Sequence, residues 1–267
     1  MLLKHEIHCN SKISRCYTFP MSDPQNMPGE PRKYRIMNPP SEHRLEGELK
    51  VCDPEKTDHT RDMESWRIFR IMAEFVEGFQ MLRKYHLAAT FFGSARSDLG
   101  EERYQDATDL AKKLSGSGFA IITGGANGIM EAANKGAYEA GGPSVGLNIM
   151  LPTEQLTNRY LTDGMTFNYF FSRKVMLSFA SEVYIYFPGG FGTLDEFLEI
   201  LTLVQTHKIK RIPIILYGKD YWQPITDLFE NHLFKKYQTI SEGDLKLYHV
   251  VDSVEEAYEA IIKLVKC

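Results

Sequence analysis

The sequence predicts an α/β protein built on a doubly wound parallel sheet, and three observations carry that expectation. Short apolar runs alternate regularly with helical patterns from Leu87 to the C-terminus. The runs are apolar almost without interruption, as strands buried on both faces must be. Several of the turns that lead from an apolar run into a helix are rich in glycine, which marks the ligand side of such sheets.

The elements follow in order. Residues 1–60 hold Pro20, Pro24, Pro28, Pro31, Pro39, Pro40 and Pro54, many charges and no sustained period, so they read as an extended N-terminal arm. Residues 61–267 read as one domain. It opens with MESWRIFRIMAEFVEGFQMLRKY, in which Trp66, Phe69, Met72, Phe75, Val76 and Phe79 recur at spacings of three and four. This is one apolar helical stripe, expected to cover the core or to form a dimer. Strands are then expected at Leu87–Phe92, Phe119–Ile122, Val145–Met150, Glu182–Phe187, Ile212–Tyr217 and Leu247–Val250. Helices are expected near Tyr104–Ser115, Gly128–Glu139, Leu194–Gln205, Trp222–Phe234 and Val254–Val265, with a further helical stretch around Asn168–Ser178.

Composition narrows the function classes. A chain of 267 residues, 43% hydrophobic and 25% charged, can bury a core as one large domain and contains no apolar run long enough for a membrane span. The N-terminal MLLKHEIHCNSKISRC lacks the apolar region of a secretory signal, so a cytoplasmic protein with its four cysteines as thiols is expected. His5, His8, Cys9 and Cys16 match no zinc-ligand spacing, and no metal is expected. The net charge of -4 argues against nucleic-acid binding while leaving small anions open.

Three strand-to-helix turns are unusual. Phe92-Gly93-Ser94-Ala95-Arg96 ends a strand in small residues followed by a guanidinium, although a plain tight turn would look the same. Thr123-Gly124-Gly125-Ala126-Asn127-Gly128 leads straight into a helix, whose free N–H groups and positive dipole end suit a phosphate. Pro188-Gly189-Gly190-Phe191-Gly192-Thr193 repeats that geometry, on what reads as a neighbouring strand. Neither glycine turn completes the dinucleotide fingerprint GxGxxG or a P-loop. The pairing therefore favours a mononucleotide or sugar phosphate. Thr193 and Glu196 also form the Thr-x-x-Glu pattern of a capping box, which by itself would explain both residues but not the glycines or Asp195. Upstream, Arg173 and Lys174 sit in an apolar-aromatic helical stretch, where cations need anions nearby, as structural ion pairs or as ligands.

GSAR, TGGANGIMEAANKGA, the Ser172-Arg173-Lys174 helix and PGGFGTLDE resemble, in order and spacing, the LOG family, also called lysine-decarboxylase-like or PGGxGTxxE proteins. The resemblance runs from about Leu87 to the C-terminus. It implies a Rossmann-like fold, a homodimer or larger assembly, no cofactor, and hydrolysis of the N-glycosidic bond of a nucleoside 5'-monophosphate, AMP or a cytokinin precursor. Carried over residue by residue, it makes Arg173 and Glu196 catalytic. It places Gly189, Gly190, Gly192 and Thr193 on the phosphate, with Gly93, Ser94, Gly124, Gly125, Gly128 and Lys174 completing the substrate site. Asn127 and Glu131 would be outer members. The alternative is a protein of the same fold that carries a nucleotide-containing cofactor, such as the molybdenum cofactor, without cleaving it. The older decarboxylase label would require a pyridoxal-phosphate Schiff base, for which Lys174 is the lysine nearest the site. The 60-residue arm and the TGGANG turn depart from the family's compact, more glycine-rich forms.

Overall fold

The computed structural model describes residues 65–96, 100–151 and 157–265. The arm at 1–60, with its histidines and cysteines, lies outside the described residues. Helix α1 (Ser65–Leu82) precedes strand β1 (Ala88–Phe92), α2 (Glu101–Gly116), β2 (Ala120–Thr123), α3 (Ile129–Glu139) and β3 (Ser144–Ile149). The chain continues through β4 (Asp163–Phe167), α4 (Phe170–Ser178), β5 (Val183–Tyr186) and α5 (Phe191–Gln205). It closes with β6 (Ile214–Tyr217), α6 (Lys219–Leu228), β7 (Tyr248–Val251) and α7 (Val254–Leu264).

The seven strands form one sheet in the order β4-β3-β2-β1-β5-β6-β7, and every pairing is parallel. Strands β1, β2, β3, β5 and β6 are buried at every position, which is why each reads as a near-continuous apolar run. One core lies under α1, α4, α5 and α6 and includes Met81, Met176, Phe197 and Trp222. The other lies under α2, α3 and α7 and includes Leu110, Leu114, Ala133 and Ile261. This is the Rossmann-like, doubly wound arrangement. The chain winds outward from β1 to β4, then returns to pair β5 against the other edge of β1. The carboxyl ends of β1 and β5 therefore form the switch point, where such sheets open a crevice.

Four expectations change. Strand β4 is an addition: as an edge strand it is only alternately buried, and its sequence Asp-Gly-Met-Thr-Phe lacks an apolar run. The two glycine turns follow β2 and β5, which are not neighbours, because β1 runs between them. Helix α1 forms as expected, but the face it packs inward carries Glu74, Gly78, Met81 and Leu82, with Phe75 packed partly against the core. Trp66, Phe69, Met72, Val76 and Phe79 point outward, Trp66 at 75% exposure. The helix expected over Trp222–Phe234 starts earlier and passes at Phe229–Lys236 into a π-helical segment.

Candidate active site

The three turns meet at the carboxyl ends of β2, β1 and β5, and the middle one is laced to both flanking turns. Ser94 N–H donates to Pro188 O at 3.1 Å, and Ser94 O accepts from Ile129 N–H at 3.0 Å. A Cβ on Gly93 would meet the Ile129 side chain, and one on Gly128, whose φ is +68°, would fall on Ser94 O. Gly93 and Gly128 thus let two turns close on each other, and the space at Gly93 is taken by Ile129. Ser94 spends its backbone groups in that lacing, and its Oγ accepts from Arg96 N–H.

The turn after β2 rests on a buried polar network. Thr123 Oγ1 donates to Asn134 Oδ1 and accepts from Gly125 N–H, while Asn158 donates to Asn134 Oδ1 and Ala126 O. Asn134 in turn bonds Ser144. Buried polar groups satisfied this fully hold one geometry. Gly125 sits at φ +71° against the Asn148 amide, and a Cβ on Gly124 would fall on Arg173 Nη2. Gly124 and Gly125 therefore serve partly to admit protein side chains, one of them the arginine assigned to catalysis. Neither Asn134 nor Asn158 announces this role in the sequence, because their partners lie on other elements.

The turn after β5 is different. A Cβ at Gly190 or Gly192 would meet nothing within 4 Å, so these two glycines border open space. Helix α5 begins at Phe191 with Gly190 as its N-cap and no side-chain cap. The capping box expected from Thr193 and Glu196 is not formed. Thr193 lies inside the first turn, its N–H donating to Gly190 O at 3.0 Å and its hydroxyl packed over Gly189. The chain enters the helix three residues earlier than that box would place it, at Gly190, which leaves first-turn N–H groups without intrahelical partners. Helix α6 braces this turn: Tyr221 Oη donates to Gly189 O at 2.7 Å and Trp222 Nε1 to Tyr186 O at 3.0 Å.

Helix α4 brings the two cations. Arg173 Nε donates to Leu147 O at 2.7 Å, which lays the guanidinium along the end of β3 and against Gly124. The residue keeps some surface, but its guanidinium is desolvated. Burial lowers its pKa, and the charge of nearby Glu196 opposes that shift. Lys174 Nζ lies 2.7 Å from Asp195, 3.1 Å from Glu196 Oε1 and 2.7 Å from Glu199. Asp195 and Glu199 are thereby assigned as partners of Lys174. The sequence reading missed Glu199, although its position three residues after Glu196 on a helix puts it on the same face.

Glu196 is 6% exposed, and its Oε2 has no hydrogen-bond partner. Burial raises its carboxyl pKa, Lys174 pulls it back down, Glu199 raises it and Arg173 lowers it. A buried carboxylate oxygen without a donor is costly unless something fills the place. Asn148 Oδ1, beside Gly125, is a second buried acceptor without a partner.

Lys174 does not fit a Schiff-base role. Burial alone would lower its pKa, but hydrogen bonds to Asp195 and Glu199 and the charge of Glu196 raise it above the ordinary value. A Schiff base requires a neutral, free amine, and an ammonium held by three carboxylates is neither. Among the described residues no group of three potential ligands could hold a metal.

A cavity of about 550 Å³ opens beside the first two turns, with Tyr104, Asn127, Gly128, Glu131 and Arg159 among its walls. It includes neither Arg173, Lys174 and Glu196 nor any residue of the 188–193 turn. Asn127 and Glu131 belong to that cavity. The chemistry-bearing groups stand at the switch point itself, and their orphaned acceptor weighs more than the volume next door.

Fold and site together define a Rossmann-like protein whose glycine turns, buried carboxylate and desolvated arginine converge at the switch point of the sheet. The model of the family described as "Possible lysine decarboxylase" matches residues 130–261. A relative from Arabidopsis thaliana, named "Probable cytokinin riboside 5'-monophosphate phosphoribohydrolase", is 27% identical over 68% of this chain and 88% of its own length. A "Cytokinin riboside 5'-monophosphate phosphoribohydrolase" from Rhodococcoides fascians is 24% identical over 54% of this chain and 74% of its own. Among solved structures, the molybdenum cofactor carrier protein of Chlamydomonas reinhardtii aligns with a TM-score of 0.50 at 24% identity, covering 67% of this chain and 97% of its own, a likeness of fold. In sequence the chain is thus similar to proteins of the LOG family.

Proposed function

We propose that this protein hydrolyses the N-glycosidic bond of a nucleoside 5'-monophosphate, AMP or a cytokinin-type nucleotide, to free base and ribose 5-phosphate. The carrying observation is the Oε2 atom of Glu196, buried and unpartnered beside a desolvated guanidinium. Cleavage of a ribosyl C–N bond builds positive charge on the sugar, which an adjacent carboxylate stabilises while taking a proton from the attacking water. In this reading Glu196 Oε2 does both. Lys174 holds Oε1 at 3.1 Å and so fixes the carboxylate and keeps it ionised. The N–H groups around Gly189, Gly190 and Gly192, with the Thr193 hydroxyl, hold the phosphate at the N-terminus of α5. Arg173, permanently charged, positions substrate and stabilises developing negative charge on the departing base. The names of the relatives support the substrate class.

The test is incubation with AMP, GMP, CMP, UMP and a cytokinin riboside monophosphate, with chromatographic detection of free base. Glu196→Ala should lower release by about 10²–10⁴-fold, the usual contribution of a general base, while the protein stays folded. Absence of base release from every nucleotide defeats the hydrolase reading. Tight nucleotide binding that survives Glu196→Ala would then favour the carrier alternative.

A homodimer is part of the same proposal. Trp66, Phe69, Met72, Val76 and Phe79 of α1, Phe170 and Phe171 of α4, and Phe179 just after it are exposed, with Phe79 and Phe179 in edge contact. Apolar surface of that kind marks an association face.

A further inference from the structure

The inward face of α1 carries one residue that packing does not explain. Glu74 lies one turn before Gly78 on the side turned to α4, and is only 6% exposed. Its Oε1 accepts from Asn168 N–H at 2.7 Å and from Asn168 Nδ2 at 2.9 Å, and its Oε2 accepts from Ser172 Oγ. Among the described residues no lysine or arginine forms an ion pair with it. An ionised carboxylate buried without a counter-ion is tolerated only where donors and a positive potential replace water.

Both are supplied by the N-terminus of α4. That helix has Tyr169 at its N-cap position and no side-chain cap of its own. The carboxylate of Glu74, reaching across from α1, ties the residue before the N-cap to the Ser172 side chain and complements the positive end of the α4 dipole. One turn further along α1, Gly78 lets the Met176 side chain of α4 seat against α1, since a Cβ there would meet Met176 Sδ at 2.6 Å. The clamp acts at Ser172, immediately before Arg173 and Lys174. The N–H of Arg173 bonds Tyr169 O at 3.2 Å in the same turn, and its Nε reaches Leu147 O. A shift or rotation of this turn takes the guanidinium off Leu147 O and Lys174 off its three carboxylates.

We propose that Glu74 is a positioning residue for Arg173 and Lys174, clamping the first turn of α4 from a neighbouring helix and so setting both cations; this rests on the hydrolase reading above. Glu74 touches no substrate in this account.

Four variants test it: Glu74→Ala, Glu74→Gln, Arg173→Ala and the double variant Glu74→Ala/Arg173→Ala. Glu74→Ala should lower kcat by about 10²-fold with KM changed less, the scale expected when a catalytic group is misplaced by about 1 Å. Glu74→Gln should recover most of this. Its carbonyl can still accept from Asn168, and the Ser172 hydroxyl can turn wholly to Tyr169 O, 2.9 Å away. In the Arg173→Ala background, Glu74→Ala should cost less than in the wild type, only the part that acts through Lys174 remaining, because residues acting through one another are not additive. Losses that multiply in the double variant, or a Glu74→Gln variant as impaired as Glu74→Ala, overturn the proposal. If Glu74→Ala does not fold, Ser172→Ala removes one arm of the same clamp and should show a smaller loss, again reduced without Arg173. If the wild-type protein releases no base, the hydrolase reading falls on its own, and Glu74 is judged by hydrogen exchange. Loss of protection centred on amides 168–174 in Glu74→Ala then supports the clamp, and unchanged protection there refutes it.

Discussion

Replacing Lys174 by methionine keeps much of the side chain's bulk and removes its charge, and the consequence should be read in the pH dependence of activity. The Lys174 ammonium stands 3.1 Å from Glu196 Oε1, with the two side chains 21% and 8% exposed. At an effective dielectric constant of about 20 this attraction is ~5 kcal/mol, an upper figure, because water entering after truncation screens the site. A dielectric constant of about 40–80 leaves ~1.3–2.7 kcal/mol, or about one to two pKa units. Lys174 opposes a rise in the Glu196 pKa that burial causes, so removing it raises that pKa further. The reactive form is the carboxylate, hence the acid limb of kcat/KM should move upward by about one to two pH units, with the activity loss steepest under mildly acidic conditions. The assay is base release from AMP across pH 4.5 to about 9, with circular dichroism at each pH to confirm folding. An acid limb that stays in place or moves down refutes the assignment of Glu196 as the titrating base under Lys174 control.

Further outcomes are expected from the same geometry. Glu199→Gln removes a charge that raises the Glu196 pKa and should shift the acid limb the opposite way, checked in the same profile. Gly124→Ala puts a methyl group on Arg173 Nη2 and should reduce kcat by about tenfold or more while the fold survives; Gly190→Ala, at φ -91° with open space around it, should leave stability unchanged and weaken nucleotide binding, measured by calorimetry. Trp66→Asp with Phe69→Asp should give a monomer in light scattering if the outer face of α1 joins two copies. At the sheet edge, Asp163 accepts from Lys84 and Tyr85 at 2.8 Å each, and although burial raises its pKa, these bonds and the Gly164 N–H hold it below the ordinary value. Its contribution, about 1 kcal/mol for a partly exposed pair, is present above the unfolded pKa and lost as pH falls through the folded one. Asp163→Asn should therefore lower the melting temperature at neutral pH and make little difference in strong acid, by scanning calorimetry.

The division between what the chain declares locally and what folding adds is visible in particular residues. Strands such as Ala88–Phe92 and Val183–Tyr186 are legible because a strand buried on both faces is apolar almost throughout. Strand β4 is not, since half of its residues face outward and its place is set by pairing with β3. Glu199 could have been read from its helical spacing to Glu196. Glu74 could not, because it lies 98 residues before its partner Ser172 and no periodicity links them.

By itself the sequence determined the α/β class, the glycine turns at strand ends and the residue types that converge there: local propensity and burial pattern require nothing from distant residues. Only the tertiary structure decided that β1 separates the two glycine turns, that Gly124 and Gly125 make room for Arg173 and Asn148 while Gly190 and Gly192 border open space, and that Thr193 lies within the first turn of α5. The apolar stripe of α1 shows the same division. Its period demanded a helix, but which face meets the core was settled by Glu74 and Gly78, the residues that fit the N-terminus and flank of α4. Periodicity counts apolar residues, whereas docking selects the face whose shape and donors match the partner.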